Sequence, residues 1–313
     1  MKIQVRLKPH FRKIRIIAQG FVMKKYLFLF LLPLSLFAHL NIAVSYPYIG
    51  ALTKTIGGDH IETVVLAKGN WDPHFIVPRP SLIAKVRNAD ALIMNGGQLE
   101  IGWLPPLLNR AGNPKSMPNA PTFLNLSHHV ELINKPSSVD RKEGDIHPDG
   151  NPHFHLDPAN ILLLAEVIKK FLISIDGEHK AVYEKNYADF LGMWQKKLGM
   201  WQEKMADKKG LKVIQFHDNL AYFNKAYGLE NIGTIEPLPG IPPSSKHTMA
   251  IIELIKKENP CCILHDVYHA TKTAEFISEK TGIKIVLMPH DIEALEEIQD
   301  LASLFDYLTG AIR

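Results

Sequence analysis

Two short stretches of this chain set a histidine behind a proline in the same surroundings: Asp72-Pro73-His74-Phe75 and Asn151-Pro152-His153-Phe154. Proline fixes its own φ and restricts the residue before it, so each imidazole leaves a loop whose direction is partly settled in advance. The second stretch continues into His155-Leu156-Asp157-Pro158, which puts two imidazoles and a carboxylate on one braced segment. Imidazole nitrogen and carboxylate oxygen are ligands for zinc-like divalent ions, and the pattern reads as a metal site. His217-Asp218 and His290-Asp291 supply the same chemistry further along the chain.

The elements that must carry these residues follow from apolar periodicity. Strands are expected at 40–45, 61–67, 91–94 and 122–126, with helices at 48–56, 81–88 and from Leu99 onward. Residues 112–150 are rich in Pro, Gly, Asn and Ser and are expected to be mostly loop. Two helices follow, 159–175 and 178–208; the second carries Tyr183, Tyr187, Phe190, Trp194, Leu198 and Trp201 at helical spacing, a packing stripe. It is expected to act as a stiff connector. Alternation then resumes with strands at 211–216, 232–236, 261–264 and 283–288 and helices at 219–227, 245–258, 270–280 and 298–312.

This order predicts an α/β fold: two lobes, each a mostly parallel sheet flanked by helices, joined by one long rigid helix. The divisions are a leader over 1–38, lobes over 39–177 and 209–313, and a connector over 178–208. In such sheets ligands bind beyond the carboxyl ends of strands. His74 lies in the loop after the second strand and His153 precedes the long helices. His217 and Asp218 follow the 211–216 strand directly, and His290 and Asp291 follow the 283–288 strand. Three imidazoles and a carboxylate, two from each half, would close a four-coordinate site between the lobes.

Of the 313 residues, 46% are hydrophobic and 22% charged, which excludes a disordered chain. The net charge of +4 belongs to the first 38 residues, which hold eight Lys or Arg and no acid; the rest has 28 basic against 32 acidic residues and no nucleic-acid footprint. Lys24-Lys25, the apolar run 26–38 and a cleavage after Ala38 have the order of a secretory signal, with Met23 as a candidate start. The run of 13 residues is short for a membrane span. Cys261 and Cys262 are neighbours in an apolar run and read as packed strand residues, not a disulfide framework.

These residues together resemble the zinc and manganese solute-binding proteins of ABC importers. The resemblance covers about residues 40–313 and rests on Asp72-Pro73-His74, Asn151-Pro152-His153, Leu156-Asp157-Pro158, His217-Asp218 with Tyr222-Phe223 and Tyr227-Gly228-Leu229, and the 287–291 stretch. It implies capture of Zn2+, with Mn2+ the alternative, and delivery to a membrane permease and its ATPase by an exported, monomeric carrier. It also implies that His74, His153 and His217 are ligands. The fourth ligand falls at Asp291, with His290 its rival because Met288-Pro289-His290 departs from the usual lead-in. His155 is open between a support for a ligand, an exchange ligand and a surface group. A nitrogen-rich shell argues for zinc over manganese. His128, His129 and His147 form a thin version of the histidine-rich loop of zinc members, and His265 with His269 lacks a third ligand. A zinc hydrolase would need an open position and a general base, and no His-Glu-x-x-His sequence occurs. A surface adhesin on the same fold is the remaining alternative.

Overall fold

The structure is a computed structural model that describes residues 39–136, 147–238 and 240–312. The leader expected over 1–38 lies outside them. The first lobe runs β1 Leu40–Val44, α1 Pro47–Gly57, β2 Ile61–Val65, α2 Pro80–Arg87, β3 Ala91–Met94, α3 Leu104–Ala111 and β4 Phe123–Asn125. Its sheet has the order β2-β1-β3-β4, all parallel. After α4 Pro158–Ile175 and α5 Lys180–Met205, the second lobe runs β5 Lys212–Gln215, α6 Ala221–Tyr227, β6 Glu230–Thr234 and α7 Ser245–Glu258. It finishes with β7 Cys262–His265, α8 Lys272–Thr281, β8 Lys284–Leu287 and α9 Leu301–Ala311. The order β6-β5-β7-β8 repeats the first sheet's pattern, again all parallel.

The strands are short apolar runs because helices cover both faces; Ile42, Ala43, Val44, Ala91, Leu92 and Ile93 are fully buried. Proline opens α1, α2 and α4, where its missing N–H costs nothing. Asp157 caps α4 by accepting from Ala159 N at 2.8 Å. The helix expected from Leu99 begins five residues later, at Leu104. Pro105 and Pro106 lack an N–H and are tolerated only in a first turn, which fixes the start just ahead of them.

The connector is a 26-residue α-helix, about 39 Å long at 1.5 Å per residue, with a 3-10 turn at each end. Its aromatic stripe is packing: Tyr183, Phe190, Trp194 and Trp201 are buried. Trp194 donates to Pro158 O at 2.7 Å and meets Phe305 edge-on at 5.8 Å, while Trp201 donates to Asp306 at 2.8 Å. The helix is thereby bonded to the start of α4 on one side and to α9 on the other. One large core runs from the first sheet through α5 to α9 and one face of the second sheet; a smaller one lies under α7 and α8. The lobes approach closely at Gly69, where an added Cβ would stand 1.8 Å from Ile292 O.

Candidate metal centre

The repeated Asx-Pro-His pattern has a backbone reason. Asp72 Oδ1 accepts from His74 N at 3.0 Å, and Asn151 Oδ1 accepts from His153 N at 3.0 Å. Each is an Asx turn closed around its proline, a fold that Asp and Asn make readily. Asp72 Oδ1 also holds His74 Nδ1 at 2.8 Å, so the ring presents Nε2 outward, and that atom is buried with no protein partner. Burial alone would raise Asp72, but the side-chain and backbone hydrogen bonds and charge of His74 outweigh it and leave the carboxyl below its usual range.

His217 reaches the same place by another route. It follows β5, and Glu236, which follows β6, holds its Nδ1 at 2.5 Å. Glu236 is itself fixed by Gly240 N at 2.9 Å and lies 3.9 Å from His269 Nε2. Asp266 in turn takes His269 Nδ1 at 2.9 Å. A carboxylate on the far nitrogen of an imidazole settles its tautomer and aims the other nitrogen at a metal.

His153 completes the group. It is 1% exposed, and neither ring nitrogen has a protein partner. Burial, and then the neighbouring His74 and His217, hold it far below the usual histidine range, so it stays neutral and free to donate a lone pair. One nitrogen from each of His74, His153 and His217 lies within 4.8 Å of the others, and the rings stand edge-on at 5.3 to 5.7 Å. The buried, unpartnered nitrogens of His74 and His153 at this point are costly unless a cation binds there. The cluster joins the lobes, two histidines from the first and one from the second.

The remaining sequence-predicted residues stand apart from this group. Asp291 is 2% exposed, and its carboxylate is taken by Ile292 N at 2.7 Å and by the Tyr48 backbone N–H. Burial drives its pKa well above the usual range. The ring of His290 lies edge-on to Tyr268 at 4.9 Å, and burial holds it to about 3. His155 is not a surface imidazole: it is 3% exposed, stacked on Tyr48 at 4.3 Å, with Nε2 donating to His290 O at 2.8 Å. It stitches the lobes together. His128 sits by Asn125 at 3.1 Å, away from the cluster.

His147, counted with the loop, faces the site: its ring is 5.3 Å from that of His74 and its Nε2 is buried without a partner. Burial, then His74 and His217, push it down to about 3. Glu236 and the Asp266–His269 pair were missed as supports. Both Glu236 and Asp266 lie just beyond strand ends, β6 and β7.

The description zinc-uptake complex component A, periplasmic, belongs to a family whose model matches residues 42–312. The chain belongs to this family. The iron ABC transporter substrate-binding lipoprotein MtsA of Streptococcus pyogenes serotype M1 is 26% identical over 252 residues, 79% of this chain and 78% of that protein. The zinc-binding lipoprotein AdcA of Streptococcus pneumoniae strain R6 is 25% identical over 261 residues, 82% of this chain and 51% of that protein. The crystal structure of ZnuA shares the fold, with a TM-score of 0.73 at 24% identity, covering 88% of this chain and all of that one. As a member of this family the protein is a metal-binding, extracytoplasmic substrate-binding component of an ABC importer.

Proposed function

We propose that this protein captures one Zn2+ at His74, His153 and His217 and hands it, as a monomer exported on a cleaved leader, to the permease and ATPase of its importer. The observation that carries this reading is the trio of converging nitrogens, two of them aimed by carboxylates. Zinc accepts such an all-imidazole set, whereas manganese prefers oxygen donors. The event is binding and release. A hydrolytic centre would need an untied base beside the metal, and Asp72 and Glu236 are both occupied by the ligands' own Nδ1 atoms.

Asp291 accepts from the backbone N–H groups of Ile292 and Tyr48, which orient its carboxylate and leave lone pairs for a metal. Asp291→Asn decides that role: a hundredfold loss of zinc affinity places it in the coordination sphere, and unchanged affinity removes it. The reading as a whole is tested by titrating metal-free protein with Zn2+, Mn2+ and Fe2+ against a chelator of known affinity. One zinc held at nanomolar strength or tighter, about −12 kcal/mol, with the other two far weaker, is the expected result. Equal or tighter manganese or iron binding overturns the metal assignment.

A further inference from the structure

Cys261 and Cys262 are the two cysteines of the chain, and the sequence reads them as packed strand residues. Neighbours within one strand point to opposite faces and do not touch. Here only Cys262 belongs to β7. Cys261 lies one residue ahead of it, so the pair escapes that alternation, and the two Sγ atoms stand 2.7 Å apart. The backbone holds them there: Cys261 N donates to Lys212 O at 2.9 Å, and Cys262 pairs in register with Lys284 of β8. The thiols open β7, whereas Asp266 follows its other end, on the side of the histidine cluster.

Paired thiols can take a metal or react with each other. Zinc fills four positions in a thiolate site, and among the described residues no third histidine, cysteine or carboxylate joins this pair. Covalent chemistry between the sulfurs is what remains. The two are unequal: Cys261 is partly exposed, while Cys262 is 4% exposed. The hydrogen bond from Cys262, helped by the charge of Lys208, holds the Cys261 thiol below its usual range; the same contact, and then burial, push Cys262 up. An accessible thiolate backed by a buried thiol is arranged for attack followed by resolution. Members of the family work outside the cytoplasm, where thiols meet disulfide oxidants.

We propose that Cys261 and Cys262 form a reversible disulfide between neighbours, by exchange with a small-molecule disulfide. The Cys261 thiolate attacks one sulfur of the oxidant, forming a mixed disulfide and expelling one thiolate. Cys262 Sγ then loses its proton to solvent and attacks Cys261 Sγ, expelling the second. The protein gives up two hydrogens and two electrons, and the oxidant leaves as two thiols. Consecutive Cα atoms lie about 3.8 Å apart, short of the roughly 4.4–6.8 Å that a disulfide usually spans. A bond between neighbours is therefore readily reduced. It is a redox mark, not a brace.

The test treats the reduced protein with glutathione disulfide, quenches it with acid, unfolds it, labels the remaining thiols with N-ethylmaleimide and reads the mass. The expected product has lost two hydrogens, carries neither label nor glutathione, and regains both thiols in dithiothreitol. Cys262→Ser should trap glutathione on Cys261, and Cys261→Ser should react at least tenfold more slowly. The yield of the closed bond should fall at least tenfold when the oxidation is run in guanidinium chloride, because the folded backbone is what holds the sulfurs together. Two labelled cysteines in the native protein, a lasting glutathione adduct or a disulfide-linked dimer overturns the proposal, as does an equal yield from the unfolded chain. Equal rates in the two variants overturn the assignment of Cys261 as the attacking thiol.

Discussion

The two lobes share a sheet order but aim their clustered histidines by different means. The first lobe uses local Asx turns: the Asp72 side chain accepts from His74 N and also holds its ring, and the Asn151 side chain accepts from His153 N. The second has no such turn at His217 and uses side chains, Glu236 on the ring and Gly240, His269 and Asp266 behind it. A turn is written in three consecutive residues. A side-chain network draws on positions 217, 236, 266 and 269, which meet only after the second sheet has assembled. The first lobe's contribution should therefore survive conservative changes that the second lobe's does not.

The largest effect expected is common to both lobes. Replacing His153 by Ala, or His74 or His217, removes one of three nitrogens and should weaken zinc binding by a hundredfold or more in chelator competition. Unchanged affinity in any of the three would take that residue out of the site. The next effect concerns the seam, where His155 and His290 are buried and held to about 4 and about 3. An unfolded histidine takes up its proton near 6.5. Below that pH the unfolded chain binds more protons than the folded one, so stability is lost as pH falls from about 6.5 toward 4. The loss is up to about 1.4 kcal/mol per histidine per pH unit. Denaturant midpoints of metal-free protein at pH 7.5 and pH 5 should differ accordingly; equal midpoints would mean that the two rings titrate freely.

The comparison itself is tested by a pair of changes. Glu236→Gln weakens the hold on His217 Nδ1 and should cost roughly 10–100-fold in zinc affinity. Asp72→Asn keeps an oxygen to accept from His74 N, as Asn151 does for His153, and should cost less than tenfold. If Asp72→Asn is the more damaging, the first lobe depends on its carboxylate charge and not on its turn. The smallest effect belongs to Tyr222, which donates to Asn151 O at 2.8 Å and accepts from Ile133 N at 3.1 Å. Tyr222→Phe should lower stability by about 1 kcal/mol in denaturant titration and leave zinc affinity within a few fold.

The same contrast explains how much the sequence revealed. Asp72-Pro73-His74 and Asn151-Pro152-His153 announce themselves because the turn that aims each ring is local. The succession of strands and helices, the lobe count and the long connector were legible because apolar runs and helical spacing are local as well. His217 stands out by its position at a strand end, whereas Glu236, at the end of the expected 232–236 strand, has nothing in sequence to tie it to a residue 19 positions earlier. His155 was open as a surface group because its burial depends on Tyr48 and on the carbonyl of His290, from distant parts of the chain. Asp291 pairs with His290 in sequence, but its carboxylate is taken by the Ile292 and Tyr48 amides, a choice that only the packed seam determines.

The connector α5 has a consequence for how the cargo is announced. A rod bonded through Trp194 to the start of α4 and through Trp201 to α9 resists being bent. Loaded and empty protein will therefore share nearly the same outline. A transporter that must tell them apart is left to read a small message written at the cleft rim, in the posture of a few side chains and turns, because the beam behind them transmits none.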